Sequence, residues 1–314
     1  MGTRAAAYSD NTIKCEDKMY SADKWEDYEL IDASDGERLE RWGKYILIRP
    51  DPQIIWKNKK KSKLWGKADG IYRRSSSGGG AWVKNDVPEK WIISYGKLKF
   101  ALKPMGFKHT GLFPEQASNW DWFSELIRER KAKGGSVKVL NLFAYTGGAT
   151  VAAAMAGAEV VHVDASKGIV ACAKENAALS GLESAPIRYI VDDCRKFVER
   201  EIRRGNKYDG IIMDPPSYGR GPGGEVWKLE DCVCDLVSLC EKLLSDNALF
   251  MLINSYTTGL SALTMGYVLD LEVTKKHGGV SETAELALPV TQSGGYLPCG
   301  ASARWTSRGK EESL

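Results

Sequence analysis

From residue 137 onward the chain alternates apolar runs with segments of helical length. The runs at 137–142, 159–164, 187–191, 208–213 and 248–253 are mostly apolar, the pattern of strands buried on both faces. Helix-length stretches between them predict right-handed βαβ crossovers and a mostly parallel sheet covered on both sides. Ahead of these a helical stretch over 123–132 ends at Gly134-Gly135. The first 123 residues have another texture. They hold eight of the ten tryptophans, and short β-like runs such as 45–48 and 91–95 are separated by Gly and Ser. The expectation is an α/β chain, with a small basic β domain over 1–122 and a parallel-sheet domain over 123–314. The stretch Ser75-Ser-Ser-Gly-Gly-Gly80 is too small and polar to pack and reads as a hairpin tip or mobile loop.

A length of 314 residues with 43% hydrophobic residues excludes a disordered or collagenous chain and leaves room for one large core and a smaller one. No apolar run reaches the roughly 18 residues that cross a bilayer. The first 30 residues carry acids in place of a signal pattern, so a cytoplasmic protein without membrane contact is expected. Seven cysteines form no CxxC pair, and only His109, His162 and His277 could join them, so reduced thiols and no metal are expected. Charge is unevenly placed: residues 51–110 hold 14 Lys and Arg against 4 Asp and Glu, whereas the segments on either side are net acidic. Within that block Lys57, Lys59, Lys60, Lys61 and Lys63 lie between Trp56 and Trp65, with Arg73 and Arg74 beyond. Phosphate-seeking charge beside rings that stack on unpaired bases points to RNA; the alternative is a solvated hairpin whose tryptophans pack the small domain.

Parallel sheets of this kind hold ligands outside the carboxyl ends of their strands, where the strand order reverses. After the first strand comes Asn141-Leu-Phe-Ala-Tyr-Thr-Gly-Gly148, which lacks the GxGxxG of dinucleotide folds and disfavours a nicotinamide cofactor. Its glycine pair either lets a ligand approach the backbone or only opens a tight turn. Asp164 ends the second strand, and its acceptor-only oxygens suit a ribose diol. Asp192-Asp193 ends the third and suits an adenine, unless Asp193 simply caps the helix that follows. The fourth ends in Asp214-Pro215-Pro216-Ser217-Tyr218. Prolines cannot donate, so an acid followed by bare carbonyls makes a socket for an amino group.

The segments Asn141 to Gly148, Asp164-Ala-Ser-Lys167, Asn176, Asp192-Asp193 and Asp214-Pro-Pro-Ser-Tyr218 resemble the motifs of class I S-adenosylmethionine-dependent methyltransferases, specifically the bacterial large-subunit (23S) ribosomal RNA methyltransferase group. Residues 98–100 and 108–116 are similar to the hairpin and Thr-Gly-x-Phe segment that precede the catalytic domain in that group, and residues 285–289 and 297–305 to the C-terminal ending of one of its branches. The resemblance covers roughly residues 90–305. It implies a Rossmann-like methyltransferase sheet with S-adenosyl-L-methionine as cofactor. Phe143, Tyr145, Thr146 and Gly147 would then surround the methionine part, with Asp164 on the ribose and Asp193 on the adenine. Ala144, Gly148, Ala165, Ser166, Asn176, Asp192 and Cys194 complete the implied cofactor set, and Thr110 and Phe113 close it from the N-terminal side. Asp214 would face the methyl group and, with Pro215, Pro216 and Tyr218, form the catalytic set. Where the group reads Asp-Gln-Arg, this chain has Glu115-Gln116-Ala117.

Chemistry divides the possibilities further. Methylating carbon 5 of cytosine needs a thiolate that adds to carbon 6, and members of the group that do so keep a cysteine after the next strand. Here that place reads Leu252-Ile-Asn-Ser-Tyr-Thr-Thr258, without cysteine. Cys232, Cys234 and Cys240 read as small hydrophobes of a helix, and Cys299, in a Pro-Cys-Gly turn, is the one thiol that could fold back to the site. A base nitrogen needs only alignment with the methyl and stabilisation of the developing charge. Asp214 and the Pro215 carbonyl can supply both, with Tyr218 as a stacking ring. The expectation is methylation of a base nitrogen in ribosomal or other structured RNA. A protein amine or small molecule as acceptor, cytosine C5 chemistry through Cys299, and a non-catalytic cofactor-binding module or nucleotide dehydrogenase stay open as alternatives.

Overall fold

The computed structural model describes residues 19–75, 79–106, 108–220, 226–257 and 259–307. The N-terminal part is built from β1 (Met19–Ser21), β2 (Tyr28–Ser34), β3 (Glu37–Trp42), β4 (Tyr45–Pro50), β5 (Gly70–Arg74), β6 (Gly80–Asn85), β7 (Trp91–Tyr95) and β8 (Leu98–Leu102). Then follow α1 (Ala117–Ala132), β9 (Lys138–Leu142), α2 (Gly148–Met155), β10 (Glu159–Asp164), α3 (Lys167–Leu179), β11 (Ile187–Val191), α4 (Cys194–Arg203) and β12 (Gly210–Met213). The chain ends with β13 (Tyr218–Arg220), β14 (Val226–Lys228), α5 (Leu229–Glu241), β15 (Phe250–Ser255), α6 (Ala262–Leu269), α7 (Lys275–His277), β16 (Val280–Val290) and β17 (Gly295–Thr306).

The apolar runs became the expected parallel strands, in the order β11-β10-β9-β12-β15, and the antiparallel pair β17-β16 closes that side. From β9 the chain builds outward one way through β10 and β11 and the other way through β12 and β15, so the order reverses between β9 and β12. The register pairs Leu142 with Met213, which sets Phe143 and Asp214 side by side as the two strands leave the sheet. Helix α1 begins at Ala117, six residues earlier than the apolar pattern suggested. Ala117, Trp120, Phe123, Ser124 and Ile127 are all buried at helical spacing, and Pro114 opens the turn before it.

The N-terminal strands are continuous with this sheet: β16 pairs in parallel with β2 through Val290 and Leu30, and β2-β3-β4-β5-β6 extend the order. One apolar core likewise takes Trp42, Ile93 and Phe100 together with Trp120, Phe123, Phe250 and Leu286. Strands β5 and β6 are antiparallel and flank the small polar stretch, whose residues 76–78 lie outside the described residues. The basic segment 57–63 is not a hairpin; it runs as irregular chain into a 3-10 turn at Lys63–Gly66. Its tryptophans are used by the fold. The Trp56 indole donates to the Ala33 carbonyl at 2.8 Å and that of Trp65 to the Asp32 carboxylate at 2.8 Å, with the Lys60 ammonium 4.1 Å above the Trp65 ring. Lys59, Lys61 and Lys63 remain on the surface. No helix among the described residues is long and apolar enough to cross a membrane.

Candidate functional site

Beyond β9 the backbone takes an unusual path. Phe143, Tyr145 and Gly147 all have positive φ, at 54°, 48° and 83°. For side-chain-bearing residues that region is strained, and it persists where surrounding contacts over-determine it. Here the Tyr145 N–H donates to Asp164 Oδ2 at 3.0 Å, and the Phe143 N–H lies 3.2 Å from Cys194 Sγ. The Thr146 hydroxyl donates to the Gly111 carbonyl at 2.6 Å, and the Asn176 amide to the Thr146 carbonyl at 2.8 Å. Two strand ends, helix α3 and the Thr-Gly segment therefore hold this loop in a shape it would not adopt alone.

The loop forms one wall of a cavity of about 640 Å³, well within the range of small-molecule sites. Asp164, Ala165, Asp193 and Cys194 line it, as do Phe143, Tyr145, Phe113, Asp214, Pro215 and Pro216. A smaller void of about 40 Å³ shares Phe113, Phe143, Tyr145 and Asp214 and adds Ala144, Thr146 and Gly148. Most of the residues singled out from sequence are thus brought together.

Others are placed differently. Asn176 is buried with its amide oxygen accepting from the Ala101 N–H at 2.9 Å, so it ties the loop to β8 and lines no cavity wall. Asp192 turns away to an ion pair with Arg200, and Ser166 caps α3. Asp193 caps α4, accepting from the Lys196 N–H at 2.9 Å, and also lines the cavity. The glycine pair serves helix packing: a Cβ on Gly147 would stand 2.8 Å from that of Ala173, and one on Gly148 2.7 Å from the Trp120 ring. Thr110 lies fully buried beside His109, and its hydroxyl has no hydrogen-bond partner among the described residues. The Pro216 carbonyl is not bare, because the Trp227 indole donates to it at 2.7 Å. Tyr218 is half exposed on the short β13–β14 ribbon and lines no part of the cavity.

The ring beside Asp214 is Tyr256, just after β15, which packs 5.9 Å from Phe113, itself 5.4 Å from Tyr145. Sequence reasoning examined its position only for a missing cysteine. Arg38, Arg49, Asp51 and Gln53 gave no signal in the sequence, and Lys108 and Glu115 stood out only as part of the segment 108–117; all six are in the cavity wall. A dense ion network holds this N-terminal wall. Arg49 grips Glu40 through two contacts of 2.6 and 2.8 Å, Arg38 pairs with Asp51, and the Tyr28 hydroxyl donates to Glu40 at 2.8 Å. Buried acids and bases far apart in sequence carry no local periodicity, so only their charged residue types could have signalled them.

Electrostatics single out the two carboxyls. Burial, with the negative charge of Glu115 nearby, pushes Asp214 up to about 7. Burial raises Glu115 as well, and its Oε2 has no hydrogen-bond partner among the described residues. Burial holds the His109 ring neutral, down to about 3, and lowers Lys108 to about 8, in both cases with neighbouring arginines. Cys299 does reach the cavity wall. Burial, then Glu115, push its thiol well above the usual range, and its S–H donates to the Leu297 carbonyl at 3.4 Å. It is a thiol there, not a thiolate. Among the described residues no group of three or more His, Cys, Asp or Glu is placed to hold a metal.

A family model for S-adenosylmethionine-dependent methyltransferases matches residues 62–270. The crystal structure of an S-adenosylmethionine-dependent methyltransferase from Agrobacterium tumefaciens superposes with a TM-score of 0.85 at 38% identity, covering 92% of this chain and 93% of that one. Ribosomal RNA large subunit methyltransferase K/L of Shewanella frigidimarina is 29% identical over 302 residues, and that of Shewanella baltica 30% over 223. These cover 88% and 69% of this chain but 40% and 29% of the relatives, so the chain spans well under half the length of the curated proteins it matches. With a family match over more than half its length and a counterpart of the same extent, the chain belongs to the S-adenosylmethionine-dependent methyltransferase family.

Proposed function

We propose that this protein methylates a nitrogen of a nucleobase in large-subunit ribosomal RNA. The observation that carries the reading is Asp214, an acid near neutrality at the strand switch point, sharing one cavity with Asp164 and Asp193 and with no ionised thiol beside it.

The chain's residues fit the cofactor. Asp164 uses one lone pair of each oxygen on the N–H groups of Tyr145 and Ser166, which leaves acceptor capacity for a ribose diol. Asp193 and the Cys194 N–H offer acceptor and donor to an adenine. Glu115 and Asp214 line the same cavity and, once ionised, would offset the positive charge of the cofactor's sulfonium and ammonium. When bound, S-adenosylmethionine supplies an electrophilic methyl carbon. Asp214 accepts the N–H of the attacking group, aims its lone pair, and offsets the positive charge that develops as the carbon–nitrogen bond forms and the carbon–sulfur bond breaks. The proton released from nitrogen passes to Asp214 and on to solvent. Pro215 and Pro216 hold the acid at the strand end with backbone that cannot swing freely.

Carbon-5 chemistry is disfavoured because Cys299 is kept protonated, and a neutral thiol does not add to a pyrimidine ring. RNA as acceptor is supported by the names of the relatives and by Lys59, Lys61 and Lys63, exposed on the segment that adjoins the N-terminal wall. The test is transfer of labelled methyl from S-adenosylmethionine to unmodified large-subunit ribosomal RNA, followed by nucleoside analysis. A labelled base nitrogen is expected. Label in protein or small molecules with RNA untouched would overturn the acceptor, and a 5-methylcytosine product would overturn the chemistry.

A further inference from the structure

Behind Tyr256 lies a buried polar network that the methyl-transfer reading leaves unused. Arg304 donates from Nε to Asn119 Oδ1 at 2.8 Å, and Asn119 Nδ2 donates to Gln116 Oε1 at 2.9 Å. Asn254 Nδ2 donates to the same Gln116 oxygen at 3.2 Å, and Gln116 Nε2 stands 2.7 Å from Tyr256 Oη. All these partners of Tyr256 are buried.

The direction of every bond follows from one residue. A guanidinium has donors only, so the Asn119 oxygen must face Arg304 and its NH2 must face Gln116. The Gln116 oxygen then receives two amide donors, and its NH2 is the group turned to Tyr256. The phenol oxygen therefore accepts, and its own proton must go elsewhere. Among the described residues no acceptor for it stands within hydrogen-bond distance, and the ring borders the cavity beside Asp214 and Glu115. The ring itself is held: a Cβ on Gly300 would stand 2.9 Å from Tyr256 Cδ1, so the glycine leaves the space that the ring edge fills.

We propose that Tyr256 donates its hydroxyl proton to the acceptor base, with the Arg304–Asn119–Gln116 relay as the positioning element that turns the hydroxyl into the cavity. Asp214 accepts and Tyr256 donates, so together they match a base edge on which a lone-pair atom, an exocyclic oxygen or an unprotonated ring nitrogen, adjoins the nitrogen that receives the methyl. Arg304 is suited to the far end because its donors cannot reverse. A relay of neutral amides alone could run in either direction.

This assignment rests on the methyl-transfer reading, and two measurements separate its failure from that of the reading. In the first, Tyr256→Phe keeps the ring, and Gln116→Glu keeps the shape but turns a donor into an acceptor, drawing the phenol proton away from the cavity. Each is expected to lower methyl transfer at least about tenfold while S-adenosylhomocysteine affinity stays within about twofold, and the double variant should be no worse than either single one. The acceptor is whichever fraction the wild-type protein labels, RNA or other, so a non-RNA acceptor removes the RNA proposal and still decides Tyr256. In the second, the protein carries 13C at tyrosine Cζ, and the Tyr256 resonance, identified by its loss in Tyr256→Phe, should shift in Gln116→Glu without any acceptor present. Wild-type transfer in Tyr256→Phe, equal losses of transfer and cofactor affinity, or an unmoved resonance each overturns the proposal.

Discussion

Replacing Asp214 by Asn removes a titrating charge from the cavity while keeping its shape, and the consequence for stability has a definite sign. Asp214 titrates at about 7 in the folded protein and ordinarily at 3.8. Below pH 4 it is neutral in both states. As pH rises from there the unfolded chain releases the proton while the fold retains it, so stability contributed by the neutral acid falls until the pH passes about 7. Each tenfold change in acidity across that gap is worth about 1.4 kcal/mol, which bounds the full loss at about 4 kcal/mol. Solvent reaches the carboxyl, and Glu115 shares in the titration, so about half that is the working expectation. Asn stays neutral throughout. In urea denaturation without cofactor, the stability advantage of Asp214→Asn over wild type should grow by about 1–2 kcal/mol between pH 5 and pH 8. Groups common to both proteins cancel in that difference. A pH-independent difference would refute the reasoning that burial and Glu115 hold the acid neutral.

Other substitutions test other parts of the site. Cys299→Ser should leave methyl transfer within about twofold of wild type, because the thiol is protonated and takes no covalent part; trapping of a mechanism-based pyrimidine on Cys299 would contradict this. Gly147→Ala should lower stability by about 2 kcal/mol or more in thermal denaturation, since φ is 83° and the new Cβ would meet that of Ala173 at 2.8 Å. Asp164→Ala should weaken S-adenosylhomocysteine binding at least about tenfold by calorimetry and also loosen the loop at Tyr145, whose N–H it holds. Lys59→Glu with Lys61→Glu should weaken RNA binding and lower the slope of log affinity against log salt by about two, leaving cofactor affinity unchanged.

Much of the catalytic sheet was legible in the residues themselves. A strand covered on both faces must be apolar along its length, so β9, β10, β12 and β15 announce themselves; β11, at the sheet edge, is only half buried and carries Arg188. The polar residue that ends each apolar run marks where the chain reaches solvent and ligand. Asp164, Asp193 and Asp214 were found that way. The rest of the cavity wall was not legible. Tyr256, Glu115, Arg38 and Asp51 come from four separate stretches, and nothing in a local window tells a buried ion pair from a solvated one. Tyr218 and Tyr256 show the limit most clearly: the sequence favoured the tyrosine next to the prolines, yet Trp227 draws the Pro216 carbonyl and the β13–β14 ribbon carries Tyr218 out of the cavity.

The amino-acid order alone set the alternation of strand and helix, the acids at the strand ends and the basic character of residues 51–110, because each depends on side chains within a few positions of one another. Tertiary structure decided which of those groups share a cavity, the near-neutral titration of Asp214, the protonated state of Cys299 and the direction of the Tyr256 hydroxyl. Those properties arise from burial and from charges and hydrogen bonds between residues far apart in the chain, such as Asn119 and Arg304, 185 positions apart, and they exist only once the fold has excluded water from between them.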